Sequence, residues 1–411
     1  MTSDQGAGGP YRAPMHQLPG PIALVHEWFT PRSVGGSEQV VRALDPVLRP
    51  QLFALVDGES GREGSWLQGR PITTSFIQQL PWGISHVQHY LPLLPLAIEQ
   101  LDLSGFPLVV SSNHLVAKGV LTAPDQLHVS YVHTPVRYAW DQMHPYLASS
   151  TLARGPLGPL IRWQLHRLRQ WDVISSSRVD RLIANSRFTA RRIQRCWRRP
   201  SVVVPPPVSI DRFRFDLPRS DFYLSVCRLV PYKRVDLVIE ACNRLNLPLV
   251  VVGDGPERKR LEALAGPTVR LLGRRSAKEV SELMGTCRAY VYAGLEDFGI
   301  APVEAMAAGA PVIGLGQGGL LDSVRCLRSG VEAPTGILFP EQTLASLQGC
   351  LDHFHDQALW RRFPPDRLRS WAERFAPERF QSRMLSALEV AWDDHHRRLV
   401  HDSRPGAVPL A

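Results

Sequence analysis

From residue 221 onward, short apolar strands alternate with amphipathic helices across connections of a few residues, and no other feature limits the fold so strongly. "FYLSVCRL" is a β-branched and aromatic run, and "RVDLVIEACNRL" behind it carries apolar residues at helical spacing. "LPLVVVG" is almost uninterruptedly apolar, the pattern of a strand buried on both faces of a parallel sheet. "ERKRLEALA" reads as a helix and "TVRLLG" as a strand. "SAKEVSELMGTC" reads as a helix opened by Ser276 with Glu279 three residues on, a capping box. "RAYVYAG", "APVEAMAAG" and "APVIGLG" continue the series. Strands and helices in this order predict a doubly wound parallel sheet.

The first half repeats the grammar in "PIALVHEWF", "GGSEQVVRAL", "QLFALVD", "LVVSSN", "LHVSYVHTP" and "RLIANS". A chain of 411 residues is long for one core, and the Pro-locked "PSVVVPPPVS" separates the two alternating regions. The expected fold class is therefore α/β, with two Rossmann-like doubly wound parallel-sheet domains facing each other across a cleft. The first spans 21–205 and the second 206–375. Residues 1–20 read as a disordered lead-in without the apolar core of a signal peptide, and 399–411 as a flexible tail.

Composition removes several classes. Apolar content of 44% and charged content of 21% describe a globular chain. The most apolar run, "YLPLLPLAIEQLDLSGFPLVVSS", is broken by Pro92, Pro95, Glu99 and Asp102 and is no membrane span. The six cysteines form no CxxC pair, which favours a reducing cytoplasm and offers no zinc spacing. The net charge of +9 concentrates between Arg154 and Arg199, where only Asp172 and Asp180 oppose many arginines. That run reads either as a solvated helix face or as a basic surface, with Trp163, Trp171 and Trp197, that meets anionic lipid. A nucleic-acid partner has no helix-turn-helix, RNA-recognition or zinc motif behind it.

Polar residues gather where strands finish. Gly35 and Gly36 in "GGSE" allow close backbone approach at a helix start, which suits a phosphate. Arg228 and Lys233 in "CRLVPYKRVD" can neutralise a diphosphate leaving group. "GDGPE" at 253–257 closes a strand with a tight turn. "YVHTPVRYAWD" puts His133 at a strand end. In "EDFGIAPVEAMAAGAPVIG", Glu296 precedes a loop of free N–H groups and Glu304 lies one turn into a small-residue helix that Pro302 helps to start. Two carboxylates suited to polyols, with cations for a diphosphate, describe a nucleotide-sugar site.

These residues resemble the E-x7-E signature, the Arg/Lys pair and the Gly-rich loop of family 4 retaining glycosyltransferases of the GT-B fold, over roughly residues 21 to 398. "HYLPLLPLAIEQLDLSGFPLVVSSNHLVAKGV" and "YVHTPVRYAWD" resemble the bacterial O-antigen mannosyltransferase branch. The resemblance implies that Gly35 and Gly36 line the phosphate loop and that His133 contacts the transferred hexose. It implies that Arg228 and Lys233 hold the diphosphate, that Glu296 holds hexose hydroxyls and that Glu304 holds the ribose. Backbone N–H groups around Phe298, Gly299 and Ile300 would also bind the donor. The usual Gly after the cationic Lys is Arg234 here. A last helix at 376–398 would cross back onto the first domain.

The implied activity is a retaining transfer of mannose from GDP-mannose to a glycan or lipid-linked glycan, in cell-surface polysaccharide synthesis. It needs no cofactor and no metal, and takes place in the cytoplasm or peripherally at the inner face of the plasma membrane. A UDP-sugar donor such as UDP-glucose stays open, because no motif reads the base. A dinucleotide-dependent dehydrogenase lacks its G-x-G-x-x-G after the first strand. A non-enzymatic, basic membrane-surface scaffold would leave the cleft residues dispensable.

Overall fold

The structure is a computed structural model that describes residues 18–31, 35–328 and 330–402. The expected lead-in lies outside the described residues up to position 17, and the expected tail lies outside them beyond Asp402.

Two parallel sheets carry the chain. The first contains β1 (Ile22–Phe29), β2 (Gln51–Asp57), β3 (Ile72–Thr74), β4 (Leu108–Asn113), β5 (Leu127–Val132), β6 (Arg181–Ala184) and β7 (Val202–Val203), in the order β3-β2-β1-β4-β5-β6-β7. The second contains β8 (Tyr223–Val226), β9 (Leu249–Val252), β10 (Val269–Gly273), β11 (Ala289–Tyr292), β12 (Val312–Leu315) and β13 (Gly336–Phe339), in the order β10-β9-β8-β11-β12-β13. The central strands are buried along their length, as the apolar runs require. The sequence reading omits β3 and β13. Both are short, and β3 is a partly exposed edge strand, so neither carries a long apolar run.

Four helices bear on function: α1 (Gly36–Leu48), α2 (Gly158–Ser176), α3 (Ile300–Ala307) and α4 (Pro377–Asp402). The capping box forms as the sequence suggests, with Glu279 N donating to the Ser276 hydroxyl and Ser276 N donating to the Glu279 carboxylate at 2.8 Å. Val204 belongs to the core of the first domain and Val208 to that of the second, so the three prolines between them form the crossing.

The chain ends by returning. Phe380, Met384, Leu388 and Ala391 of α4 pack into the first core, with Phe380 edge-on to Tyr131 at 5.6 Å. Residues 399–402, expected in a flexible tail, are instead the last turn of α4. The chain supplies no helix breaker there until Pro405 and Gly406. Among the described residues no helix is long and apolar enough to cross a membrane.

Candidate functional site

In an open parallel sheet a ligand lies beyond the carboxyl ends of the strands, where the strand order reverses. In the first sheet that point falls between β1 and β4, and in the second between β8 and β11. The Gly35–Gly36 turn follows β1, while Arg228 and Lys233 follow β8 and Glu296 follows β11. The candidate residues thus collect at the two reversal points.

The two points face each other at close range. A Cβ on Gly36 would stand 2.6 Å from Cδ1 of Ile300, so only glycine lets α1 start this near to α3. Lys233 forms an ion pair with Glu296, and the Tyr292 hydroxyl donates to the same carboxylate. Burial brings the Lys233 ammonium down to about 8; Arg137 acts in the same direction, and Cys227 and Asp297 oppose it. Arg228 is exposed, and its side chain makes no hydrogen bond or ion pair with a described residue. Gly299 is the N-cap of α3, so the N–H groups around Phe298, Gly299 and Ile300 lie at the helix start. The loop before it is braced by Gly319, whose N–H donates to Glu296 O at 2.8 Å and whose missing Cβ leaves room for Asp297 O.

Glu304 is buried on α3 and ion-paired with Arg212, which follows the Pro-rich crossing in the second domain. Burial raises its pKa against the pull of Arg212. His133 follows β5; its N–H donates to Asn113 O at 2.8 Å, and its Nε2 lies 2.8 Å from the Ser112 hydroxyl. Burial holds its imidazole down to about 3, so it is neutral at pH 7.

The sequence reading missed three groups. Asp297, beside Glu296, is buried and accepts from Arg192 at 2.6 Å while pairing with Arg137, so one carboxylate of the second domain grips two arginines of the first. Arg192 also meets Thr134 at 2.7 Å and pairs with Asp141. Arg212 escaped notice because it follows the Pro-rich stretch at 200–209 with no strand or helix pattern around it. His26, Glu27 and His114 form the third group, and a charged "HE" inside an otherwise apolar strand was the available signal. Among the described residues no group of three or more His, Cys, Asp or Glu is placed to hold a metal ion.

The basic segment needs correction. Trp197 is buried and Trp171 half-buried, and both lie against Lys118 Nζ at 4.9 Å. Lys118 is itself buried on Asp172 at 2.8 Å, and Asp172 also accepts from Trp140 and Trp197. An indole N–H seeks a buried acceptor, and Asp172 supplies one. Trp163 alone of the three tryptophans is exposed.

Comparison with known proteins agrees with this geometry. The family model described as Glycosyltransferase Family 4 matches residues 34–212, and the one described as Glycosyl transferases group 1 matches residues 209–352. A GDP-mannose-dependent alpha-mannosyltransferase of Mycobacterium tuberculosis is 30% identical over 331 residues, which cover 77% of this chain and 84% of the relative. The fold matches that of Anabaena HepE in complex with UDP, with a TM-score of 0.63 and 16% identity over 90% of this chain and 99% of that one. It equally matches sucrose-phosphate synthase of Thermosynechococcus elongatus, with a TM-score of 0.63 and 18% identity over 94% of this chain and all of the other. With two facing parallel sheets, their strand-end residues and these matches, the chain belongs to glycosyltransferase family 4.

Proposed function

We propose that this glycosyltransferase moves mannose from GDP-mannose, with retention at the anomeric carbon, to a hydroxyl of a glycan or lipid-linked glycan. One observation carries the reading: the reversal points of the two sheets meet, with Gly36 against Ile300 and with Lys233 and Glu296 beside them. The mannose donor is supported by the 30% identity to a relative named for GDP-mannose.

In this reading Arg228 and Lys233 hold the diphosphate, together with the N–H groups of Phe298, Gly299 and Ile300 and the Gly35–Gly36 turn. Glu296 takes hexose hydroxyls, Glu304 exchanges Arg212 for the ribose, and His133 touches the hexose as a neutral imidazole. The sugar–phosphate bond breaks with its electron pair on the diphosphate, where fixed cations and helix-end N–H groups stabilise the growing charge without a metal. The acceptor oxygen bonds the anomeric carbon on the same face, and its proton passes to the leaving phosphate.

The acceptor would be met at an anionic membrane surface. The outer face of α2 supports this, since it presents Leu160, Trp163 and Ile174 with Arg162 and Arg167, and its one acid, Asp172, is buried. Calorimetry with GDP and UDP, followed by the sugar nucleotides, tests the donor. Tighter binding of UDP than of GDP would replace GDP-mannose with a UDP-sugar.

A further inference from the structure

Every residue from Leu108 to Val120 is buried except one, His114, which follows β4 directly at the reversal point of the first sheet. It stands beside the neighbouring strand-end imidazole, with ring centroids of His114 and His133 6.5 Å apart, and Trp28 packs edge-on against it at 4.9 Å.

Glu27 sets its orientation. This carboxylate is fully buried on β1, and its Oε1 accepts the N–H groups of His114, Leu115, Val116 and Ala117 at 2.8, 2.7, 3.1 and 3.2 Å. Its Oε2 lies 2.8 Å from Nδ1 of His114. Burial alone would raise the carboxyl pKa, but the His114 and His26 imidazoles and the Leu115 N–H pull it well below the ordinary range. The Glu27 anion faces Nδ1 at this distance and so favours the tautomer with the proton there, which leaves Nε2 as the lone-pair acceptor. Nε2 makes no hydrogen bond with a described residue, and the side chain is 27% exposed.

We propose that His114 is the acceptor-side contact, its Nε2 accepting the hydrogen bond of the incoming hydroxyl and its ring held in place by the positioning residue Glu27. The proposal rests on the transferase reading above and adds to it. The bonds that change remain the same: the acceptor oxygen bonds the anomeric carbon, the sugar–phosphate bond breaks, and the hydroxyl proton ends on the phosphate. His114 gains and loses no proton over the cycle and fixes the direction of attack.

The test uses the full chain with water as the hydroxyl acceptor, following GDP release from GDP-mannose and measuring GDP affinity by calorimetry. His114→Ala is expected to lower turnover roughly 10- to 100-fold, the scale of a misplaced reacting group, with GDP affinity unchanged. His114→Gln, whose amide reaches the position of Nε2, should restore more turnover than His114→Asn, whose amide mimics Nδ1. Glu27→Gln turns an N–H toward Nδ1, reverses the tautomer and should lower turnover as His114→Ala does. If that variant does not fold, the His114 variants decide alone.

Unchanged turnover in His114→Ala, or equal restoration by Asn and Gln, overturns the proposal. GDP affinity lost together with turnover makes His114 a structural residue and overturns it too. Failure of the donor reading looks different: the wild-type chain then neither binds GDP nor releases it from GDP-mannose, and the same variants are read with UDP and UDP-glucose.

Discussion

Gly36 and Ile300 belong to different domains, yet a single methyl group placed on Gly36 would come within 2.6 Å of the Ile300 side chain. The two domains thus approach here only because Gly36 has no side chain. Gly36→Val should hold the domains apart there while leaving the second domain's nucleotide contacts intact. Turnover is expected to fall about 100-fold, as for an ångström-scale misplacement, and GDP affinity much less. Parallel losses in kinetics and calorimetry would show that Gly36 matters for nucleotide binding and not for closure.

Glu304 already has a partner. In the proposed reading a ribose replaces this ion pair with Arg212 by two hydroxyl contacts. Glu304→Ala should weaken GDP binding by about 1.5–3 kcal/mol, the scale of hydrogen bonds to a charged group. The fold should persist, judged by circular dichroism. Equal GDP affinity in mutant and wild type would remove the ribose assignment.

In the proposed reading, Lys233 and Arg228 act on charge that grows as the sugar–phosphate bond breaks. Replacing either with Ala should lower kcat more than it raises KM, by about 100- to 1000-fold for one lost stabilising donor. Activity should survive excess EDTA, because the proposed reading gives these cations the role a metal would take. A change in KM alone, or activity abolished by the chelator, would contradict the charge-stabilising assignment.

Both sheets were legible because parallel strands buried on two faces leave apolar runs that period and length identify. The strand-end positions of Gly36, Lys233 and Glu296 were legible because the turns of a parallel sheet follow its apolar runs directly. Asp297, Arg192 and Arg137 were not. Asp297 lies 105 positions from Arg192 and in the other domain from both arginines, and no local pattern encodes the pairing. Trp171 and Trp197 misled for the same reason: a Trp beside arginines looks interfacial until Lys118 and Asp172 bring it inward.

Burial holds three imidazoles neutral, with His26 down to about 4 and His128 and His133 down to about 3. Their folded pKa values lie below the unfolded value near 6.5, so the unfolded chain binds more protons in the window between. Stability is then fully present above about pH 6.5 and is lost as pH falls toward 4. Each imidazole should account for about 1 kcal/mol between pH 7.5 and 5.5. Urea midpoints at the two values check this, and a flat profile would mean that these rings take up protons in place.

The outer face of α2 gives the last prediction. Leu160, Trp163, Arg167, Gln170 and Ile174 recur at helical spacing along its exposed side, and Leu160, Trp163 and Ile174 are 58%, 55% and 58% exposed. Arg162 is exposed nearby, whereas Arg169 turns inward and donates to Ala139 O at 2.8 Å. With Asp172 buried, no carboxylate of this helix opposes an anionic surface. Each cation near such a surface contributes about 1 kcal/mol, and the aromatic ring anchors at the head groups. The protein should therefore sediment with anionic liposomes at low salt and stay free of neutral ones. It should be released near ~0.5 M salt, where the screening length is about 4 Å. Arg162→Glu with Arg167→Glu should reduce binding strongly and Trp163→Ala partly, each with donor hydrolysis retained. Equal sedimentation with neutral and anionic vesicles, or with neither, would return this face to an ordinary solvated helix surface.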